Sequence, residues 1–500
     1  MWESNMEQRI TAEHWRAWAK EGCTLLPVML KAGAERLPET WTALTHSPAS
    51  VLLESAQGGR YTYVCDQPAR VIVGDATAAE VRSGDGRSVL TRYQGDPLQV
   101  LTQLVAEIRT PRIPAMLPMI GGLIGVFGYD LIHTWEKLPW IARRDLDLPL
   151  YAFLEARELF IFDHLEHVLH VVVWTDAPAR AEEFPAAFAL AEARAGDALS
   201  RWRDAVARPP ITTKRSRADR APSPPPSFSA EAFQAAVRRI KDYIAAGDTY
   251  QVNLSLRTSR AATAPAEWIY DALRRINPSP YMGLLRLPEF ALVCGSPELL
   301  VRAVDGVVSS RPIAGTRPRG DVPPQDSHFS AELFASDKER AEHLMLVDLI
   351  RNDLGRVADY GSVRVAEFMA LERYSHVMHI VSQVEARLAR GRSWAEVLRA
   401  MFPGGTITGC PKIRTMEIIE ELEPVGRGFY TGALGWIGYN GAMEMNIVIR
   451  SMLVKDGVAH VQAGAGIVAD SQPERELDES LRKAQALWVA LEQAGAESNA

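Results

Sequence analysis

The chain has 500 residues, with 55 Lys and Arg against 62 Asp and Glu, and so a formal net charge of −7. Hydrophobic residues make up 47% and charged residues 23%, the balance of a globular protein with ample core and length for two or three domains. Disorder over most of the chain is excluded, and the mild acidity argues against a nucleic-acid-coating role, which shows as a basic face or a pI above about 9.

Cys23, Cys65, Cys294 and Cys410 are scattered, with no CxxC or zinc spacing, and read as buried thiols in a reducing compartment. Met1-Trp2-Glu3 shows no secretory signal. The longest apolar run, Met119 to Tyr129, holds four glycines in eleven residues, short of the roughly 20 residues that cross a bilayer. The expected location is the cytoplasm, with no membrane and no nucleic acid as partner.

In chain order, Leu159–Phe162 and Leu169–Trp174 flank an Asp163-His164 turn and predict a strand pair. Ala177 to Ala207 is rich in Ala, Glu and Arg and reads as helix. A Pro/Arg-rich stretch follows, from Arg208-Pro209-Pro210 through Lys214, Arg215, Arg217 and Arg220 to Pro222 and Pro224–Pro226. It reads as a linker over 208–226, dividing an N-terminal region, 1–207, from a C-terminal domain, 227–490. Beyond it, helices are predicted over Glu231–Ala246 and Glu339–Leu354. Strands are predicted over Ala291–Val293, Gly306–Val308, Tyr430–Tyr439, Met443–Val454 and Val458–Ala463, with turns at Asn440-Gly441 and Asp456-Gly457. Strands in neighbouring runs, without regular strand–helix alternation, predict an α+β fold with antiparallel sheets.

Two glycine-rich segments exclude familiar nucleotide sites. In Gly404-Gly405-Thr406-Ile407-Thr408-Gly409-Cys410-Pro411-Lys412, Cys410 and Pro411 separate the last glycine from the lysine, so this is no phosphate loop. Gly464-Ala465-Gly466-Ile467-Val468-Ala469 lacks the third glycine of a dinucleotide fingerprint; its backbone N–H groups suit a carboxylate instead. Two capping boxes, Ser336-Asp337-Lys338-Glu339 and Ser471-Gln472-Pro473-Glu474, open helices. Glu339 and Glu342 share a face of the first. On the second, Leu477, Leu481, Ala484, Trp488 and Leu491 form an apolar stripe beside Glu476, Glu479 and Lys483. Glutamates so spaced are ordinarily solvated surface; if the two pairs meet, they make a hard-oxygen site suited to Mg²⁺.

Residues 230 to 490 resemble the chorismate-utilising enzymes: anthranilate synthase component I, aminodeoxychorismate synthase component I, and the isochorismate and salicylate synthases. The resemblance is carried by Gly247-Asp248-Thr249-Tyr250-Gln251-Val252-Asn253-Leu254, Ser296-Pro297-Glu298, Arg311 to Pro318, Glu342 to Asp353, His376 to Ser382, the 404–412 segment and Gly464 to Lys483. The N-terminal part matches more weakly, through Leu52-Leu53-Glu54-Ser55 and Gly121-Gly122 to Gly128-Tyr129. The resemblance implies an anthranilate synthase component I-like fold, antiparallel sheets packed as a sandwich with helices outside. It implies that Glu342 and Glu479 ligate Mg²⁺, with Glu339 and Glu476 around them, and that Glu298 protonates the departing C4 hydroxyl of chorismate. Tyr430, Arg450, Lys483 and the Gly464, Ala465 and Gly466 backbone match positions that hold the substrate, and Thr406, His379, Gln251 and Thr316 further active-site positions.

Water-using members carry a lysine base where this chain has Gln251, which cannot act as a base at pH 7, so ammonia is the expected nucleophile. None of the four cysteines has a G-x-C-x-G setting, so a separate glutamine amidotransferase subunit is implied. The 247–254 and 403–409 segments are more similar to aminodeoxychorismate synthase, and the expected product is 4-amino-4-deoxychorismate, a folate precursor. Ala314 stands where some of those enzymes use a covalent lysine, and Asn277-Pro278-Ser279-Pro280-Tyr281-Met282 resembles the tryptophan-feedback motif of anthranilate synthases. Formation of anthranilate is therefore the alternative. Leu53, Glu54, Ser55, Asn277, Pro278, Tyr281 and Met282 form a candidate tryptophan pocket. A non-catalytic tryptophan-binding scaffold is the reading from another class.

Overall fold

The structure, a computed structural model, describes residues 10–33, 35–113, 117–208, 224–318, 323–373 and 377–497. Its frame is two large antiparallel sheets of 11 and 12 strands. Strand faces that are apolar on both sides produce three layers of core. Between the sheets lie Val51, Cys65, Ile124, Leu154, Leu285, Cys294 and Trp436. The outer face of the 11-stranded sheet is covered by the helices Ala12–Lys20, Phe184–Ala207, Ala266–Ile276 and Pro473–Glu497. Pro97–Ala106, Asp337–Gly355 and Trp394–Met401 cover the other sheet. This is the predicted α+β sandwich with helices outside.

The sequence halves divided at 208–226 share both sheets. Ser50–Glu54 pairs with Tyr281–Leu287, Glu54 opposite Met282, and Gly122–Phe127 pairs with Ala433–Gly438. Of the linker, residues 209–223 lie outside the described residues. The predicted strand pair is present as Glu158–Asp163 against Val168–Asp176. The Ala177–Ala207 helix is shorter, Phe184–Ala207, with Pro185 in its first turn, where a proline's missing N–H costs no hydrogen bond.

Two expectations change. Met443–Val454 is not one strand: Met443–Ile447 belongs to the 12-stranded sheet and Ser451–Lys455 to the other. The chain crosses at Val448–Arg450, and Arg450 takes a left-handed φ of 51° to make the turn. The last helix starts at Pro473, so Ser471 sits one residue ahead of the cap; its hydroxyl instead accepts the Val468 N–H at 3.1 Å. At the Asp337–Gly355 helix Ser336 caps as expected, accepting the Glu339 N–H at 3.3 Å. No helix among the described residues is long and apolar enough to cross a membrane.

Candidate active site

A second crossing brings the chemistry together. Phe290–Ser296 lies in the 11-stranded sheet and Leu299–Val304 in the other, so Pro297 and Glu298 bridge the two. The two crossings, at Glu298 and Arg450, open onto one cavity of about 750 Å³. Gln251, Glu298, Glu339, Glu342, His379, Thr406, Tyr430, Arg450, Gly464, Gly466, Glu476, Glu479 and Lys483 all line it. Residues spread over more than 230 positions of sequence thus converge on a single concavity, the usual form of a small-molecule site.

Glu298 is 6% exposed. Burial pushes its carboxyl up to about 7, and the neighbouring Thr406 hydroxyl and Ile313 N–H hold part of the rise back. A carboxylic acid still protonated near neutrality is a proton donor. Burial also pushes His379 down, to about 4. Its Nδ1–H donates to the Gly315 carbonyl at 3.0 Å, which makes it a neutral ring with Nε2 as the acceptor nitrogen. Arg450 is lowered by burial as well. Its guanidinium has neither a hydrogen bond nor an ion pair with any described residue. A recessed guanidinium with five unused donors invites a carboxylate in a bidentate grip.

The two acidic helices face each other across the same space. Gln251 donates from Nε2 to Glu342 at 2.8 Å. Lys483 donates to the Gly464 carbonyl at 2.9 Å and pairs with Glu479 at 2.8 Å. Gly315, at φ 64°, leaves room for Glu339, whose Oε2 would lie 3.0 Å from a Cβ there. Four carboxylates from two facing helices, all lining one cavity, are the donor set a hard divalent cation such as Mg²⁺ takes. With Glu342 turned to Gln251 and Glu479 to Lys483, no three His, Cys, Asp or Glu groups among the described residues close on one point. The donor chemistry fits Mg²⁺, but Glu342 and Glu479 would have to leave Gln251 and Lys483 to complete its shell.

Of the expected Gly464, Ala465 and Gly466 backbone, Gly464 and Gly466 line the cavity and Ala465 does not. Alternation along Val458–Ile467 turns the Ala465 side chain to the opposite face, into the cluster with Val252, Leu254 and Ile418, which leaves the expectation for its backbone N–H untouched. The Thr316 side chain and His376 lie outside the described residues. Asn253, Gln462 and Arg482 line the cavity too and had been given no role. Gln462, Gly464 and Gly466 stand two apart on one strand, a period that was readable in the sequence; nothing in the pattern around Arg482 distinguished it.

A larger cavity of about 910 Å³ lies between the sequence halves. Leu53, Glu54, Ser55, Tyr281 and Met282 line it, but Asn277 and Pro278 do not. The Glu54 carboxylate turns into the core, where it pairs with Arg274 at 2.7 Å and accepts from Tyr270 Oη at 2.7 Å and Trp41 Nε1 at 3.2 Å. Ser55 Oγ and Asn446 Oδ1 are buried with no hydrogen-bond partner.

Residues 49–488 match the model of the chorismate binding enzyme family, and the chain belongs to that family. It is 43% identical over 442 residues to aminodeoxychorismate synthase component 1 of Bacillus subtilis, covering 88% of this chain and 91% of that one. It is 45% identical over 452 residues to anthranilate synthase component 1 of Thermus thermophilus, covering 90% and 94%. Among solved structures, anthranilate synthase component I from Streptococcus pneumoniae superposes with a TM-score of 0.73 at 32% identity, over 86% of this chain and 92% of that one. The anthranilate synthase component I-like fold is therefore shared.

Proposed function

We propose that the chain aminates chorismate with ammonia to 4-amino-4-deoxychorismate. The observation that carries this reading is a buried acid, Glu298 at about 7, in one cavity with an Arg450 guanidinium that has no hydrogen bond or ion pair among the described residues. Chorismate is a dicarboxylate with a poor leaving group at C4. Arg450 and Tyr430 grip one carboxylate, a charge-assisted contact worth about 1.5–3 kcal/mol. Glu342 and Glu479, with Glu339 and Glu476 around them, are the residues that would hold Mg²⁺, which would supply Lewis-acid chemistry there. Glu298 gives its proton to the C4 hydroxyl, whose C–O bond breaks so that it leaves as water while the ammonia lone pair forms the new C–N bond. Gln251, an amide, takes no proton; it orients Glu342.

Ammonia comes from a partner glutamine amidotransferase. The names of the two relatives, each a component 1, support a two-component assembly. The thiols here are unsuited to glutamine hydrolysis: burial raises all four, Cys294 to about 11, whereas a nucleophilic cysteine is a lowered one.

A second reading, amination at C2 with loss of pyruvate to give anthranilate, is favoured by Ala314. This methyl group lines the cavity and offers no covalent nucleophile. A non-catalytic scaffold has no use for a protonated Glu298 in one cavity with the Arg450 guanidinium. We assign the larger cavity to a free amino acid such as tryptophan, its apolar floor holding the indole and Ser55 and Asn446 its polar end.

One assay separates these readings. Purified chain is incubated with chorismate, Mg²⁺ and a large excess of ammonium near neutral pH, where Glu298 keeps its proton, and anthranilate fluorescence is followed. A non-fluorescent amine that gives 4-aminobenzoate only after a lyase is added is the expected result. Direct fluorescence establishes anthranilate instead, and absence of both products favours the scaffold. Tryptophan added to the same assay is expected to inhibit; unchanged rates with no calorimetric binding reject the amino-acid pocket.

A further inference from the structure

The Gly128-Tyr129 motif of the N-terminal half takes no part in the chemistry above, yet it sits against the most heavily bonded buried cation described. Arg427 is 1% exposed and its i−4 neighbour Glu423 2%. From Nε and Nη2 it grips both Glu423 oxygens, at 3.0 and 2.7 Å. Of its other hydrogen bonds, one goes from Nη1 to Thr431 Oγ1 at 3.3 Å and two reach outward. Nη1 donates to the Ile407 carbonyl at 2.8 Å and Nη2 to the Asn253 carbonyl at 2.7 Å. Both acceptors line the active cavity, and Ile407 is bonded to Thr406 in the chain. The Tyr430 ring, a third wall of that cavity, has its centroid 5.7 Å from the guanidinium.

Glu423 extends the network. It accepts the Ser255 N–H at 2.9 Å and its hydroxyl at 2.8 Å, and Ser255 Oγ accepts in turn from Gln462 Nε2 at 2.9 Å. Over the guanidinium, on the side of the N-terminal half, lies the Tyr129 ring, 4.9 Å from its centroid. Tyr129 donates its N–H to the Gly428 carbonyl at 2.7 Å. A side chain at Gly128 would meet the same carbonyl at 3.1 Å, so the motif's glycine permits the close approach.

We propose that Arg427 is the positioning residue that fixes the Asn253, Ile407–Thr406 and Tyr430 walls of the substrate cavity relative to one another, and that Tyr129 of the N-terminal half holds it in place. The N-terminal half thereby takes part in catalysis without touching the substrate. A guanidinium does this because its planar fork offers five donors in fixed directions, whereas an ammonium offers three on a flexible stem. Displacing a reacting group by about 1 Å costs on the order of a hundredfold in rate.

The proposal rests on the chorismate reading for its kinetic arm but not for its structural one. Arg427→Lys keeps a positive charge opposite Glu423 and loses the simultaneous grip on the two carbonyls. Chorismate loss with ammonium is measured per folded molecule, the folded fraction being read by circular dichroism at the assay temperature. A fall in kcat/KM of at least about tenfold is expected, with both a lower kcat and a higher KM. Tyr129→Leu shifts the same parameters in the same direction, and Tyr129→Phe, which keeps the ring, recovers most of the loss. A purely structural Arg427 would lower the folded fraction and leave per-molecule kinetics as they were, and that outcome overturns the proposal. So do normal kinetics in Tyr129→Leu, as regards the N-terminal contribution. Amide hydrogen exchange is expected to quicken at 251–255 and 404–409 in both Arg427→Lys and Tyr129→Leu. Unchanged exchange there overturns the proposal even if the wild-type chain consumes no chorismate, a result that would separately reject the chorismate reading.

Discussion

Glu298 owes its proton to desolvation: no charged neighbour contributes to its shift, and the two groups that do, the Thr406 hydroxyl and the Ile313 N–H, work against it. The consequences for activity and for stability have opposite signs. As a proton donor Glu298 is competent below its native pKa, so kcat/KM measured at constant free ammonia falls as pH rises through about 7. For stability, a carboxyl raised from 4.5 to about 7 binds a proton in the native state that the unfolded chain has released. Folding is therefore progressively weakened between those two values as pH rises, reaching about 3 kcal/mol above them. Glu298→Gln removes both effects. It should lower kcat by roughly 10²–10⁴ while sparing chorismate binding. It should also raise the urea midpoint at pH 8 and leave it nearly unchanged at pH 4.5. Near-normal turnover, or a lower midpoint at pH 8, would reject the assignment. This residue was singled out only by the resemblance that Ser296-Pro297-Glu298 carries; its desolvation was not legible, because it comes from two sheets joined by residues far apart in sequence.

At the scale of elements, the sequence period located strands well and their sheet membership poorly. Alternation holds only over Met443–Ile447 and breaks at Ile447-Val448-Ile449 and Arg450-Ser451, the stretch where the chain changes sheets. The break was legible, but the apolar Met452-Leu453-Val454 that follows reads as a continuation of the same strand, which hides the crossing at Arg450. Helix-face spacing grouped Glu339 with Glu342 and Glu476 with Glu479, but which helices face one another is a tertiary fact. The strand Val458–Ile467 offers a test in which two neighbouring glycines part company. A methyl group at Gly464 meets the Leu254 carbonyl at 2.5 Å and Asn253 Oδ1 at 2.8 Å. The first is ladder backbone that cannot step aside, so Gly464→Ala should lower stability by about 1–3 kcal/mol, read from denaturant unfolding. At Gly466 the obstacle is the terminal amide of Gln251, a side chain able to swing away. Gly466→Ala should fold with nearly wild-type stability yet lose activity several-fold, because the displaced amide no longer orients Glu342. Equal stability losses at both positions would show that Gln251 is not free to yield.

The whole molecule repeats one plan twice. In each half a strand pair in the 11-stranded sheet is followed by a crossing and a pair in the other; a later pair there crosses back. The N-terminal crossings fall at 66–69 and at Arg157 and are chemically closed: Glu155, fully buried, is held by Arg157 at 2.7 Å, Arg70 at 2.5 Å and Tyr439 Oη at 3.0 Å. The C-terminal crossings carry Glu298 and Arg450, neither one neutralised by the other. The composition break at 208–226 falls between the strands of one plan and those of the next. It could not reveal that the two copies are woven into the same sheets, since pairing between residues 228 to 316 positions apart leaves no local signature. The strands Ser50–Glu54 and Gly122–Phe127 would each leave a long apolar edge bare if the halves were separated, and bare edges of that kind aggregate. Expressed alone, 227–500 should therefore precipitate or remain unfolded. Co-expressed with 1–207 as two polypeptides, it should co-purify as a one-to-one complex that unfolds in a single transition and regains turnover of chorismate. A soluble 227–500 fragment with native-like circular dichroism would instead make the C-terminal half an independent domain, and the shared sheets an accretion upon it.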